Sequence, residues 1–153
     1  MPQTTENQPR IYILNGPNLN LLGVREPEKY GTTTLLQIEE LCRERADVEG
    51  LSIDFRQSNH EGVLVDWVQQ AREEAAGIIL NPAGLTSTSI TLFDALMGVS
   101  LPLIEVHITN IHRREAFRHF SYVSQAADAV IAGAGPHGYQ LALSHMARLV
   151  QSR

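Results

Sequence analysis

Apolar positions recur along the chain at two spacings, and the two spacings alternate. Short runs such as "IYILN" (Ile11–Asn15) and "GIILN" (Gly77–Asn81) are dense in β-branched and aliphatic residues, as buried strands are. "LSIDFRQ" (Leu51–Gln57) alternates apolar with polar, while "PLIEVHI" (Pro102–Ile108) and "AVIAG" (Ala129–Gly133) complete a set of five strands. Between the strands the spacing becomes helical. "TLLQIEELCRERA" sets Leu35, Ile38, Leu41 and Cys42 on one face, and "VLVDWVQQAREEA" repeats Val65, Val68 and Ala71, with Trp67 read as packing. "STSITLFDALMGV", the short "RREAFRHF" and the closing "YQLALSHMARLVQ" read as further helices.

Strands alternating with helices at this spacing predict right-handed βαβ crossovers and a parallel sheet covered on both faces. Five strands suit a flavodoxin-like α/β/α sandwich of strand order 2-1-3-4-5. With 153 residues and no repeat or linker, residues 10–153 read as one domain behind a disordered polar tail, residues 1–9.

Composition narrows the class. A net charge of −5 argues against nucleic-acid binding, which requires a basic stripe. No apolar run approaches membrane-spanning length, and "MPQTTENQPR" lacks the charged and apolar regions of a signal peptide, so a soluble cytoplasmic chain is expected. Cys42, the single cysteine, shares the apolar helix face and reads as a packing residue. Eleven arginines accompany one lysine, Lys29, which lies in a polar loop. A Schiff-base mechanism needs a desolvated lysine, which that loop does not offer.

Ligands of such sheets bind beyond the carboxyl ends of the strands. Those ends read "NGPNLNLLGVREPEKYG", "NPAGLTSTS", "EVHITN" into "HRREAFR", and "GAGPHG". Gly133, Gly135 and Gly138 match a dinucleotide spacing, but the acidic residue required about 20 positions later has no place before the chain ends. They read instead as glycines for a tight turn and close helix packing. The first loop is not the hydroxyl-rich phosphate loop of a flavodoxin. Asn15 and Asn81 stand where a phospho-acceptor receiver needs acids, and no phosphate-binding P-loop or H-E-x-x-H motif occurs. His107, His112 and His119 fit no zinc spacing.

What the strand ends do gather is Asn18, Arg25, Tyr30, Asn81, Glu105, His107, Arg114 and Arg118. Glu105 and His107 are two apart on a strand and share a side of it, so the carboxylate can orient the imidazole and help keep it protonated. The set reads as a proton-transfer site with arginines for an anionic small molecule.

Over residues 10–151 the chain resembles the type II 3-dehydroquinate dehydratases. "NGPNLNLLGVREPEKYG", "RQSNHEG", "NPAGLTSTS", "EVHITN", "REAFR" and "GYQLAL" follow one another in that family's order. The resemblance implies a flavodoxin-like enzyme that needs no metal or coenzyme and assembles as a dodecamer of four trimers. It would remove water from 3-dehydroquinate through an enolate. Tyr30 would be the base, supported as a phenolate by Arg25 with Arg114 nearby, on a loop that closes over substrate. Asn18 would hold a water against the enolate oxygen, and His107, oriented by Glu105, would protonate the departing hydroxyl. Asn81 and the backbone amides of Ile108 and Thr109 would receive the substrate carboxylate. Arg118 would bind ring hydroxyls, and Asp94 would reach a neighbouring subunit's site.

One position departs from the pattern. Where the family has a histidine that binds a substrate hydroxyl, this chain has Ser87; Thr109, where serine is usual, is a milder change. The substitution opens a second reading, dehydration of a related cyclic polyol carboxylate. A third reading is a non-catalytic relative with a binding or assembly role.

Overall fold

A computed structural model describes residues 7–152. Five strands, β1 (Arg10–Asn15), β2 (Ser52–Gln57), β3 (Gly77–Asn81), β4 (Leu103–His107) and β5 (Ala129–Ala132), form one sheet in the order β2-β1-β3-β4-β5. All four pairings are parallel, and Asn15 stands beside Asn81 at the shared end of β1 and β3. The flavodoxin-like order expected from the alternating pattern is therefore present. The expected tail, residues 1–9, falls for residues 1–6 outside the described residues; at Pro9 the chain has joined the sheet, its carbonyl accepting from Ser52 N at 3.0 Å.

The helices are α1 (Pro27–Tyr30, a single turn), α2 (Leu35–Glu49), α3 (Glu61–Glu74), α4 (Ile90–Met97) and α5 (His137–Gln151). Local chemistry starts and stops them. Thr34 and Gln37 form a reciprocal capping box at the start of α2, and Gly50 ends it with φ of 74°. Ser89 caps α4 by accepting from Leu92 N at 2.9 Å.

Strand alternation divides the core in two. Ile11, Ile13, Ile79, Ile104 and Val106 face α2 and α5, where Ile38, Cys42, Leu143 and Met146 complete a buried cluster. Tyr12, Leu14, Ile78, Leu80 and Leu103 face α3 and α4, meeting Leu64, Val68, Leu92 and Leu96. Each such side chain taken from water contributes roughly 1.5–3 kcal/mol. Cys42 is fully buried as expected, and burial pushes its thiol up to about 12. Trp67 packs on the second cluster.

"RREAFRHF" is not the short helix its spacing predicts. It forms parts of two 3-10 turns, Ile111–Arg113 and Ala116–Arg118, separated by extended backbone at Arg114 with φ −103° and ψ −168°. Asn110 caps the first turn by accepting from His112 N at 3.1 Å. The break frees Arg114 from a helix surface and turns it toward the sheet end.

Gly16 is required by proximity. A Cβ there would lie 2.7 Å from the Pro82 carbonyl oxygen, so the loops leaving β1 and β3 cross in contact. Gly133 has φ of 90°, and a Cβ on it would meet Asn110 Cβ at 3.0 Å. The glycines after β5 thus form a turn against the loop leaving β4.

Candidate active site

The crossing loops enclose a cleft of about 190 Å³ at the carboxyl ends of β1, β3 and β4. The loop after β1 is pinned by Leu19 and Leu22, both buried in the core, and so delivers Arg25 and Tyr30 to the rim. Asn18 begins the loop in the left-handed region with φ of 71°. A non-glycine residue there costs about 1–3 kcal/mol and must be held by its surroundings. Asn59 supplies the hold: its Oδ1 accepts from Asn18 N at 2.9 Å and from Gln57 Nε2 at 3.1 Å. The quoted "RQSNHEG" stretch therefore braces the first loop.

Tyr30 accepts a hydrogen bond from Arg114 Nη1 at 2.9 Å. The Arg114 and Arg25 guanidinium carbons lie 5.4 and 5.7 Å from the Tyr30 ring centroid. Arg25 is half-exposed and also pairs with Glu26 at 3.5 Å. The phenol thus sits between two cations, with Arg114 in direct contact and Arg25 over the ring.

His107 and Glu105 lie on the α4 side of β4, as their spacing predicts. His107 Nε2 is hydrogen-bonded to Glu105 Oε2, and both residues are buried. With Nε2 held by Glu105, Nδ1 is the ring nitrogen left for any other partner. Burial pulls the Glu105 carboxyl up, but hydrogen bonds from His107, Ser124 and Ser121 together hold it below the usual carboxylate range.

Asn81 is fixed from behind. Its Oδ1 accepts from Ala83 N at 3.1 Å, and its Nδ2 donates to Tyr139 Oη at 2.9 Å. Tyr139 in turn donates to Asn15 Oδ1 at 2.7 Å, and Asn15 Nδ2 donates to the Arg56 carbonyl at 2.9 Å. Burial raises the Tyr139 phenol well above its ordinary value, so it stays a neutral link between two asparagines.

All the expected site residues line the cleft except Glu105 and Asp94. Ile108, Thr109, Arg118 and Ser87 are among the residues that line it. Glu105 stands behind His107. Asp94 is exposed on α4 and does not line this chain's cleft. Ser87 does not leave its hydroxyl free, because Ser87 Oγ donates to the Phe120 carbonyl at 2.8 Å. Of the histidines weighed as metal ligands, His107 is bonded to Glu105, while the tilted rings of His112 and His119 lie 5.9 Å apart and His119 Nε2 bonds the Arg114 carbonyl. Among the described residues, no helix is long and apolar enough to cross a membrane.

Asn59, Thr86, Ser121, Ser124 and Tyr139 support the site but went unassigned from sequence. The signal for three of them was available, since Asn59, Thr86 and Tyr139 lie inside the stretches quoted for resemblance.

A parallel α/β sheet that gathers a phenol, a buried imidazole–carboxylate pair and two arginines at its switch point has the layout of an enzyme site. Comparison with known proteins makes the assignment particular. The description "Dehydroquinase class II" matches residues 9–147, and the chain belongs to that enzyme family. It is 53% identical over 146 residues to 3-dehydroquinate dehydratase 2 of Pseudomonas putida, covering 95% of this chain and 98% of that protein. It is 56% identical over 137 residues to catabolic 3-dehydroquinase 2 of Aspergillus flavus, covering 90% and 91%. Among solved structures, the type II dehydroquinase of Propionibacterium acnes superposes with a TM-score of 0.89 at 42% identity, covering 92% of this chain and 97% of that one.

Proposed function

We propose that the chain is a hydro-lyase that converts 3-dehydroquinate to 3-dehydroshikimate. Family membership supports the reaction, and both biosynthetic and catabolic names occur among its relatives. The observation that carries the assignment of roles is the Tyr30–Arg114 hydrogen bond on the same cleft as the buried His107–Glu105 pair.

In this reading the Tyr30 phenolate takes the proton from C2, stabilised by the Arg114 hydrogen bond and the Arg25 charge. The electron pair moves onto the carbonyl oxygen as an enolate, beside a water held by Asn18. When the enolate collapses, the C–O bond breaks and His107 protonates the leaving hydroxyl, which departs as water. The Nδ2 of Asn81 and the amides of Ile108 and Thr109 receive the substrate carboxylate, and Arg118 receives ring hydroxyls. Reprotonation of His107 and loss of the Tyr30 proton to solvent restore the site.

The exposure of Asp94 on α4 is consistent with a contribution to a neighbouring subunit's site, and the assembly that this reading carries is a cytoplasmic homododecamer of four trimers. Light scattering should then give a mass of about twelve 17.0 kDa subunits, and a fully active monomer would contradict the shared site. The reaction itself is tested by mixing the purified chain with 3-dehydroquinate and following the conjugated enone by absorbance. Failure to form it sinks the reading. A second reading, dehydration of a related cyclic polyol carboxylate, is motivated by Ser87, whose hydroxyl proton is committed to Phe120.

A further inference from the structure

The carboxylate of Glu105 is wholly buried, and three hydroxyls converge on it besides the imidazole. Thr86 Oγ1 donates to Oε2 at 3.0 Å, and Ser124 Oγ donates to Oε1 at 2.6 Å. Ser121 Oγ spans both oxygens, 3.2 Å from Oε1 and 3.0 Å from Oε2. Neighbouring strands place Leu80 and Val130 beside Glu105 in register. Among the described residues, His107 is therefore the titratable group that faces it, and the rest of its polar surroundings are hydroxyls.

The hydroxyls come from two segments locked together. Tyr122 N donates to the Thr86 carbonyl at 2.8 Å, and Ser87 Oγ donates to the Phe120 carbonyl at 2.8 Å. Thr86 Oγ1 and Ser121 Oγ lie 2.5 Å apart. The segment that follows Arg118 thus lies over the end of β3 and closes the chamber around Glu105.

Proton counting decides which state the chamber suits. Each hydroxyl has one proton to give, and Thr86 and Ser121 are hydrogen-bonded to each other, so one of that pair donates to its neighbour and the other to the carboxylate, which no cation balances except an imidazolium. A buried ionised carboxylate is costly unless hydrogen-bonded and paired, and this one has three hydroxyls and an imidazole. An ionised Glu105 can accept from Ser124, from one of Thr86 and Ser121, and from His107, with the imidazolium as its counter-charge. Hydroxyls also differ from a second cation in an important respect. They stabilise the negative charge without competing with His107 for the role of the one proton-carrying group.

We propose that Thr86, Ser121 and Ser124 are positioning residues for the reaction, holding Glu105 as an ionised carboxylate and through it fixing the His107 imidazole for proton delivery. The inference rests on the reading of His107 as the acid, and it extends the acid from a pair to a five-residue unit drawn from three segments. Its chemical logic matches the depressed Glu105 carboxyl described above, in which Ser124 and Ser121 are among the causes.

The test uses the full chain in its native assembly. Ser124→Ala and Ser121→Ala should lower kcat with KM for 3-dehydroquinate within about twofold, since neither serine lines the cleft. The acidic limb of the kcat profile should move up by about one pH unit, the size expected for one lost hydrogen bond to a charged acceptor. Ser124→Thr, which keeps the hydroxyl, should restore the wild-type limb. An isotope-edited infrared titration of labelled glutamates, with Glu105→Gln identifying the Glu105 band, should show the same upward move without reference to turnover. A purely architectural role would lower thermal stability and leave both titrations where they are in the wild type, which overturns the proposal. If the wild type fails to dehydrate 3-dehydroquinate, the functional reading falls, while the infrared titration still decides whether the hydroxyls hold the carboxylate ionised.

Discussion

Arg114 donates to the Tyr30 hydroxyl at 2.9 Å, joining the loop after β4 to the single-turn helix after β1. Each arginine has an acidic neighbour, Glu115 at 3.8 Å for Arg114 and Glu26 at 3.5 Å for Arg25, but the Arg114 side chain is 14% exposed whereas that of Arg25 is 42% exposed. The two arginines therefore do different work: Arg114 gives the phenol a directed bond, Arg25 a screened charge over the ring. Arg114→Ala should lower kcat roughly 10- to 100-fold, the value of one charge-assisted hydrogen bond. Arg25→Lys keeps the charge but loses the planar fork, and about a tenfold loss is expected. Steady-state kinetics of both variants checks the ranking, and wild-type turnover in Arg25→Lys would remove Arg25 from the activation of Tyr30.

Tyr30→Phe removes the acceptor and keeps the ring, which packs partly buried against the core cluster. Turnover should fall close to background while a non-reacting substrate analogue still binds with nearly wild-type affinity. Calorimetric binding beside the enone assay separates the two effects. Retention of more than about a tenth of wild-type kcat, a barrier change under about 1.4 kcal/mol, would exclude Tyr30 as the base.

Tyr139→Phe addresses the support behind Asn81. The hydroxyl donates to Asn15 at 2.7 Å and accepts from Asn81 at 2.9 Å, and all three residues are buried. Removing it leaves two amides short of partners at about 1–3 kcal/mol, which corresponds to about 2–4 °C of Tm per kcal/mol for a chain of this size. Because Asn81 also faces the cleft, KM should rise with the fall in Tm. Thermal unfolding and kinetics on one preparation check both.

Much of this was legible from local pattern. Ile11–Asn15 and Gly77–Asn81 read as strands because continuous apolar runs have few alternatives, and strand ends then pointed to Tyr30, Asn81 and His107. "RREAFRHF" misled because its apolar spacing suits a helix, whereas Asn110 caps a 3-10 turn and Arg114 is needed in extended form to reach Tyr30. The supporting residues were hidden for another reason. Asn15 and Tyr139 are 124 positions apart, and Ser121 is 16 from Glu105, so only tertiary approach reveals their pairing. A serine or a buried tyrosine carries no local mark of such a partner.

Acid stability follows from Glu105. Its folded carboxyl titrates below its unfolded value, so its contribution to stability is fully present above the ordinary carboxylate range. That contribution is lost as pH falls through the depressed folded value. Glu105→Gln has no charge to protonate, so its stability should fall less steeply over the same acid interval, from a lower starting point at neutral pH. Urea unfolding at a series of pH values measures the slopes, and parallel curves would show that Glu105 does not contribute to acid sensitivity.

Ser87 lines the cleft where the resemblance expects a histidine. Its hydroxyl proton goes to the Phe120 carbonyl at 2.8 Å, so towards the cleft it presents only lone pairs. It can accept from a ligand hydroxyl but cannot donate to one, a restriction that histidine at this position would not share. The Phe120 bond lies at an exposed site, where water can replace it, so Ser87→Ala should change Tm little. Ser87→His should restore a longer side chain able to reach a ring hydroxyl directly. One such hydrogen bond is worth roughly 0.5–1.5 kcal/mol, so KM for 3-dehydroquinate should fall about two- to tenfold with kcat nearly constant. The opposite pattern would be as informative. If Ser87→His abolishes turnover of a different cyclic polyol carboxylate that the wild type prefers, Ser87 is a specificity residue, and the second reading of the substrate replaces the first.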